Sequence, residues 1–193
     1  KLGVLVNKKF ETNIENIYAI GDCAEFTNPV KGRKPIEQVW YTGRIMGETL
    51  AKILCGKNVE YNPGPWFNSA KFFDIEYQTY GVVPNKLEPN QNEFIWKDEK
   101  NRRLIHLVFE QETEKFLGIN SFGIRLRHEI FDAWLTKGKT INYCLAHFED
   151  ANFDPEFYKA FSYDFVDAFN KKFGKSIKVK RKSWLRILNP LAS

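Results

Sequence analysis

The sequence predicts an α/β segment followed by an α+β domain with an antiparallel sheet and C-terminal helices. Three observations carry this. A short apolar run at residues 17–20 ends in Gly21-Asp22 and is followed by a long helical stretch from Ile36. Four segments rich in aromatic and branched residues fill positions 72–122, separated by turn residues. Beyond them, apolar residues recur at helical spacing behind recognisable helix starts.

Residues 3–7, Gly-Val-Leu-Val-Asn, form the first strand, and Thr12 and Asn13 mark a turn. Residues 17–20 read as a second strand of the fully buried, parallel kind. Gly21 lets backbone approach a ligand closely. Asp22 places a carboxylate at the carboxyl end of a strand, where nucleotides lie in open α/β sheets. Such a carboxylate accepts hydrogen bonds from ribose or ribityl hydroxyls. On these residues alone, a core strand ending in an ordinary Gly-Asp turn is an equal reading. The helix that follows starts at Ile36 behind Pro35 and ends at Gly56, with Val39, Gly43, Met46, Leu50 and Leu54 on one face. Gly43 and Gly47 make that face shallow.

Residues 59–67, with Pro63, Gly64 and Pro65, form a linker. The sheet then occupies 72–80, 93–96, 104–110 and 116–122, with a loop at 85–92. His106 falls on one face of the third strand, as a structural or surface residue. A helix at 125–137 turns Leu126, Ile130, Phe131 and Trp134 inward and is closed by Gly138, and a second helix lies within 141–148. Asp154-Pro155-Glu156 is a strong helix start. From Phe153 to Phe173 a phenylalanine recurs every four residues. That spacing drifts about 40° per step from a straight stripe, so the rings wind around the helix and need broad apolar cover. Either the chain's own domain or a partner surface supplies it.

Hydrophobic content of 43% and aromatic content of 16% suffice for a core. No apolar run approaches the roughly 20 residues of a membrane span. Cys23, Cys55 and Cys144 are far apart and odd in number, so they are expected as reduced, buried thiols of a cytoplasmic protein. The net charge is +5, but residues 171–193 hold eight basic and no acidic residues, leaving 21 basic against 24 acidic in the rest. The dense basic run at 171–182, followed by Trp184, Leu185, Ile187 and Leu188, fits an anionic membrane surface, an acidic electron carrier, or a solvated end. No nucleic-acid motif accompanies it.

The order Gly-Val-Leu-Val-Asn, then Phe-Glu-Thr-Asn, then Asn-Ile-Tyr-Ala-Ile-Gly-Asp-Cys-Ala, with the helix behind it, resembles the second FAD-binding motif of pyridine-nucleotide-dependent flavoprotein reductases. Within them it is similar to the ferredoxin-reductase, rubredoxin-reductase and NADH-oxidase branch. The resemblance implies the end of an FAD-binding Rossmann-like domain at 1–58, an α+β interface or dimerisation domain at 59–150, and a helical extension with a basic tail at 151–193. It implies FAD as cofactor and NAD(P)H as electron donor. The cofactor-binding residues it implies are Gly21, Asp22, Gln38, Val39 and Trp40. Asp22 would hold the ribityl or pyrophosphate region. The amino terminus of the helix would point at the flavin ring and stabilise negative charge at N1–C2=O of the reduced form. No catalytic residue and no metal ligand is assigned.

Members of this branch read Pro-x-Phe-x-Ser, often with a second tryptophan, where this chain has Trp66, Phe67 and Ser69 with Asn68 in the tryptophan's place. These aromatics either approach the flavin or fill core. The Gly-x-Gly-x-x-Gly turns that grip FAD and NAD(P)H in the family are absent. The chain therefore reads as the C-terminal portion of a flavoprotein, inactive alone. His147 is followed by Phe148-Glu149-Asp150, not Pro-Thr, so the acid/base role of the glutathione-reductase type is not carried over. Without a cysteine pair, thiol–disulfide chemistry is not expected of this portion. The implied partners are a second copy, through the interface domain, and an electron carrier or quinone as acceptor. A likeness to type II NADH dehydrogenases adds a peripheral membrane location as an alternative to a purely cytoplasmic one.

Overall fold

The structure, a computed structural model, describes residues 2–30, 32–153 and 161–180. The chain divides into two compact units, at 1–68 and 69–193.

In the first unit, β1 (Val4–Val6) pairs in parallel with β2 (Ala24–Phe26), Val4 opposite Ala24 and Val6 opposite Phe26. The strand expected at residues 17–20 does not form. Its backbone bonds instead to the preceding loop, Thr12 N–H to Ile17 O and Ala19 N–H to Phe10 O, and Tyr18 makes a lone bridge to Glu11. Ile17 is exposed. A 3₁₀ turn at Gly21–Cys23 then delivers the chain into β2, so the strand follows Gly21-Asp22 rather than preceding it. Alternate residues of β2, Ala24 and Phe26, point into the core. There they join Val6, Phe10, Met46 and Tyr61, with the Phe26 and Tyr61 rings stacked at 4.9 Å.

The helix α1 (Trp40–Leu54) starts four residues later than its proline suggests. Val39 is extended (φ −135°, ψ 132°), and Glu37 folds back onto Arg33, so residues 36–39 stay outside the helix. Its end is as expected, with Gly56 at φ +79° after Cys55. Its inner face is Ile45, Met46, Leu50 and Ile53, while Leu54 points to solvent.

The second sheet has the order β3-β4-β7-β6-β5, from β3 (Phe67–Phe72), β4 (Ile75–Gly81), β5 (Gln91–Asp98), β6 (Arg103–Glu110) and β7 (Phe116–Phe122). The pairs β4–β7, β6–β7 and β5–β6 are antiparallel. The single strand expected at 72–80 is two, divided by a turn in which Phe73 takes φ +54° and is fully exposed. Where β4 runs past β7 the backbones nearly touch. A Cβ on Gly118 would sit 2.6 Å from the Val82 nitrogen and oxygen, so only glycine fits.

Among the described residues four helices follow: α2 (His128–Thr136), α3 (Ile141–Ala146), α4 (Phe148–Ala151) and α5 (Ser162–Phe173). The Thr140 hydroxyl caps α3 by accepting from Tyr143 N–H. The α2 residues Phe131 and Trp134 are buried, Phe131 stacking on Tyr80 of β4 at 4.9 Å. The phenylalanines of α5 turn to the sheet. Phe94 on β5 meets Phe165, Phe169 and Phe173 at 5.8, 5.2 and 6.2 Å, and Phe109 on β6 meets Phe169 at 5.8 Å. The chain's own domain thus covers the aromatic helix. The helix start at Asp154 and the basic end from Arg181 onward lie outside the described residues.

The part of the basic run at 175–180 is tied down. Gly174 closes α5 at φ +63°. The Asn170 amide then exchanges two hydrogen bonds with Ile177, and Lys180 N–H donates to Ala146 O. Lys175 is half-buried and bonds Glu114 and Asn142.

Candidate functional site

The site residues expected from sequence all lie in the first unit. Gly21 opens the 3₁₀ turn at φ +76°, half-buried, with its N–H directed at the Met46 sulfur 3.2 Å away. Met46 is buried on the second turn of α1, and Gly43, one turn earlier, has its Cβ position 3.9 Å from the Gly21 Cα. The absence of side chains at both glycines lets the Gly21-Asp22 turn rest directly on the first turns of α1. On its other side Gly21 is open: a Cβ there would meet nothing within 4 Å. Asp22 is exposed.

Val39 is the cap residue of α1, and its carbonyl accepts from the Thr42 hydroxyl (2.8 Å) and Gly43 N–H (3.1 Å). The Val39 side chain makes no cap hydrogen bond. The start of α1 at Trp40 is the positive end of the helix dipole. Gln38 is exposed, Val39 is half-buried, and Trp40 is 70% exposed. The structure thus brings a carboxylate, a glycine turn and the start of a helix into one neighbourhood.

Two residues that sequence reasoning did not single out support this arrangement. Arg33 and Glu37 form a two-point ion pair, Nε to Oε1 at 2.6 Å and Nη2 to Oε2 at 2.8 Å, with side chains only 8% and 5% exposed. The Arg33 guanidinium lies 4.8 Å over the Trp66 ring. Trp66 is half-buried there, and Phe67 packs on Tyr41 at 4.9 Å, so both aromatics have partners in the protein. Beside the pair is a cavity of about 10 Å³, lined by Arg33, Glu37, Tyr61, Phe26 and Val30 among others, room for one water. The Arg-x-x-x-Glu spacing was the available signal, but it ordinarily marks a solvated helix face.

Tyr61 shares this cluster. Burial, helped by the Glu37 charge and opposed by Arg33, pushes its phenol up to about 12. An unfolded tyrosine loses its proton near pH 10. Between those values the unfolded chain releases a proton that the folded one keeps, so stability is intact below pH 10 and falls as pH rises toward 12. We expect the urea midpoint of the first unit, read by tryptophan fluorescence, to drop between pH 9.5 and about 11.5. Tyr61→Phe should flatten that slope.

The cysteines divide otherwise than expected: Cys23 and Cys55 are exposed, and only Cys144 is buried. Burial raises the Cys144 thiol far above its usual range, which makes it inert. His147 is buried, stacked on Tyr143 at 4.0 Å, and its Nδ1 donates to the Tyr143 carbonyl at 2.8 Å, a structural bond. His106 bonds Glu93 across the sheet at 2.8 Å. Among the described residues, no helix is long and apolar enough to cross a membrane.

No family model matches the chain. It is 29% identical over 151 residues to an NAD(P)H sulfur oxidoreductase (CoA-dependent) of Pyrococcus furiosus, covering 71% of this chain and 34% of that protein. It is 36% identical over 84 residues to a coenzyme A disulfide reductase of Staphylococcus aureus, covering 43% of this chain and 19% of that protein. The chain thus spans about a third or less of the curated relatives it matches. Its fold is like that of an NAD-dependent persulfide reductase from A. fulgidus, with a TM-score of 0.62 at 18% identity, over 99% of this chain and 43% of that one. A likeness of fold extends to an FAD-dependent pyridine nucleotide-disulphide oxidoreductase from Desulfovibrio vulgaris, with a TM-score of 0.55 at 14% identity, over 86% and 42%. The homologues of this chain are therefore NAD(P)H-dependent sulfur and coenzyme A-disulfide reductases, its structural neighbours are FAD-dependent pyridine nucleotide-disulfide oxidoreductases, and it corresponds to a part of each.

Proposed function

We propose that this chain is the C-terminal portion of an FAD-dependent reductase that takes electrons from NAD(P)H and delivers them to a sulfur-containing acceptor. The observation that carries the reading is the exposed Asp22 carboxylate on a glycine turn that rests against the start of α1. FAD presents complementary groups: ribityl hydroxyls that donate, and an N1–C2=O edge that accepts and becomes anionic on reduction. When bound, the flavin supplies the hydride acceptance that no side chain here can perform.

The work of the chain is binding and electrostatics. Asp22 accepts from the hydroxyls and fixes their position. Gly21, lacking a side chain, leaves room for the ligand to approach the backbone. The N–H groups and positive end of α1, entered through Gln38, Val39 and Trp40, face the edge where charge develops. Donors already oriented there need no rearrangement during the reaction. The acceptor class rests on the names of the relatives, a sulfur oxidoreductase and a coenzyme A disulfide reductase.

The test is the whole protein and its Asp22→Asn variant. We expect wild type to carry flavin in stoichiometric amount, visible in its absorbance, and to oxidise NAD(P)H with a disulfide as acceptor. Asp22→Asn should weaken flavin binding by about 10- to 100-fold, the worth of hydrogen bonds to a charged group. A whole protein that neither holds flavin nor oxidises NAD(P)H overturns the reading. Oxidised coenzyme A, a small electron-carrier protein and a quinone, run in the same assay, separate the acceptor classes. Light scattering decides whether the second unit makes a homodimer.

A further inference from the structure

Arg33 and Glu37 pose a question that packing alone does not answer. Burying two charges away from water is costly, and an apolar pair of similar size would ordinarily hold the segment as well. Yet the pair, largely withdrawn from solvent, lies in a segment that is neither helix nor strand, with Glu37 one residue before the proposed flavin-facing stretch. Other contacts hold the stretch on either side of the pair and at Glu37 itself, whose carbonyl accepts from the Thr42 hydroxyl at 3.4 Å. Phe26 N–H donates to Pro35 O at 2.9 Å, and the Thr42 hydroxyl reaches the Val39 carbonyl. Between them, the two-point contact of Arg33 with Glu37 holds the Glu37 side chain and so restrains the residues that follow it, Gln38, Val39 and Trp40. The cavity beside the pair has room for one water, so the pair does not itself hold a ligand.

Charge gives the pair a second consequence. A lone carboxylate at position 37, three residues ahead of Trp40, would lie at the positive end of α1 and offset the field available to an anionic ligand. Arg33 cancels that charge at its source.

We propose that Arg33 and Glu37 are positioning residues for the flavin: together they fix Gln38–Trp40 and keep the start of α1 electrostatically unoccupied, so that its field acts on the reduced cofactor. This rests on the reading given under Proposed function. Its signature is a pair of opposite shifts. Glu37→Gln leaves Arg33 positive and favours the anionic reduced flavin, raising the midpoint potential. Arg33→Met leaves Glu37 negative and lowers it. A loss of fold alone has no reason to move the potential in opposite directions.

The experiment is redox titration of the whole, flavin-loaded protein against these two variants. The expected change is about tenfold in relative affinity for the two redox states, about 30 mV for a two-electron couple. Arg33→Lys keeps the charge but gives up the two-point grip, and is the variant least prone to unfold. It should hold flavin at least tenfold more weakly at a nearly unchanged potential. Should either charge-removing variant fail to fold, this third variant decides. Shifts in one direction, no shift, or unchanged flavin affinity in Arg33→Lys would overturn the inference and leave the proposed function standing. A wild-type protein without flavin overturns both.

Discussion

Phe165→Ala should cost the second unit a large share of its stability. Phe165 is completely buried, and its ring meets Phe148 at 4.9 Å and Phe94 and Trp96 at 5.8 Å each. The sheet packs against the ring on one side and α4 on the other, so truncation leaves a cavity between them. Truncating a buried phenylalanine costs about 3–5 kcal/mol in such settings, against a total stability for a domain of about 5–15 kcal/mol. Chemical denaturation followed by near-ultraviolet circular dichroism reports the loss. A drop below about 1 kcal/mol would mean that α5 does not seal the core. Phe173→Ala, at the half-buried end of the same helix, should cost clearly less.

Arg33→Ala is the counterpart in the first unit. It leaves the Glu37 carboxylate buried without its partner, and breaking such a pair from one side costs about 3–5 kcal/mol. Replacing both residues at once, Arg33→Met with Glu37→Leu, should recover most of the stability. The double-mutant cycle therefore predicts a strong coupling between the two positions. Near-additive losses would show that each residue is held by other contacts. The double variant is also a useful control for flavin binding, since it restores the packing without the guanidinium's geometry.

The parts of the fold that sequence made legible are those where a local pattern and the final packing agree. Residues 116–122 are a strand in both, because aromatic and branched residues there are bounded by Gly123 and by a turn. Gly56 ends α1 and Gly138 closes α2 because a left-handed residue closes a helix in that way. The pattern misled where a residue served a different purpose. Pro35 looks like a helix start, but its carbonyl is bound to Phe26 and Glu37 is bound to Arg33, which postpones the helix to Trp40. Phe72 and Phe73 look like strand interior, yet Phe73 takes a positive φ that nothing in an aromatic side chain announces. Residues 17–20 look like a buried strand, but a three-residue strand after the Gly-Asp turn took that role. At the site, Gly21 and Asp22 stood out as a glycine and a carboxylate ending an apolar run, although in the structure the turn they form precedes the strand. Arg33 and Glu37 did not, because the spacing of an ordinary surface pair conceals a buried one.

The strand order places a timing constraint on the second unit. Strands β5, β6 and β7 are successive neighbours joined by short connections, so each can zip onto the last. The hairpin of β3 and β4 comes earlier in the chain, yet it must attach to β7, beyond the whole meander. Bringing such distant segments together is the entropically demanding event. During refolding, amides of β6 should gain protection from exchange before those of β4, as pulsed deuterium labelling would record. The glycine contact between Gly118 and Val82 then acts as the last fastener, set only once the early hairpin arrives.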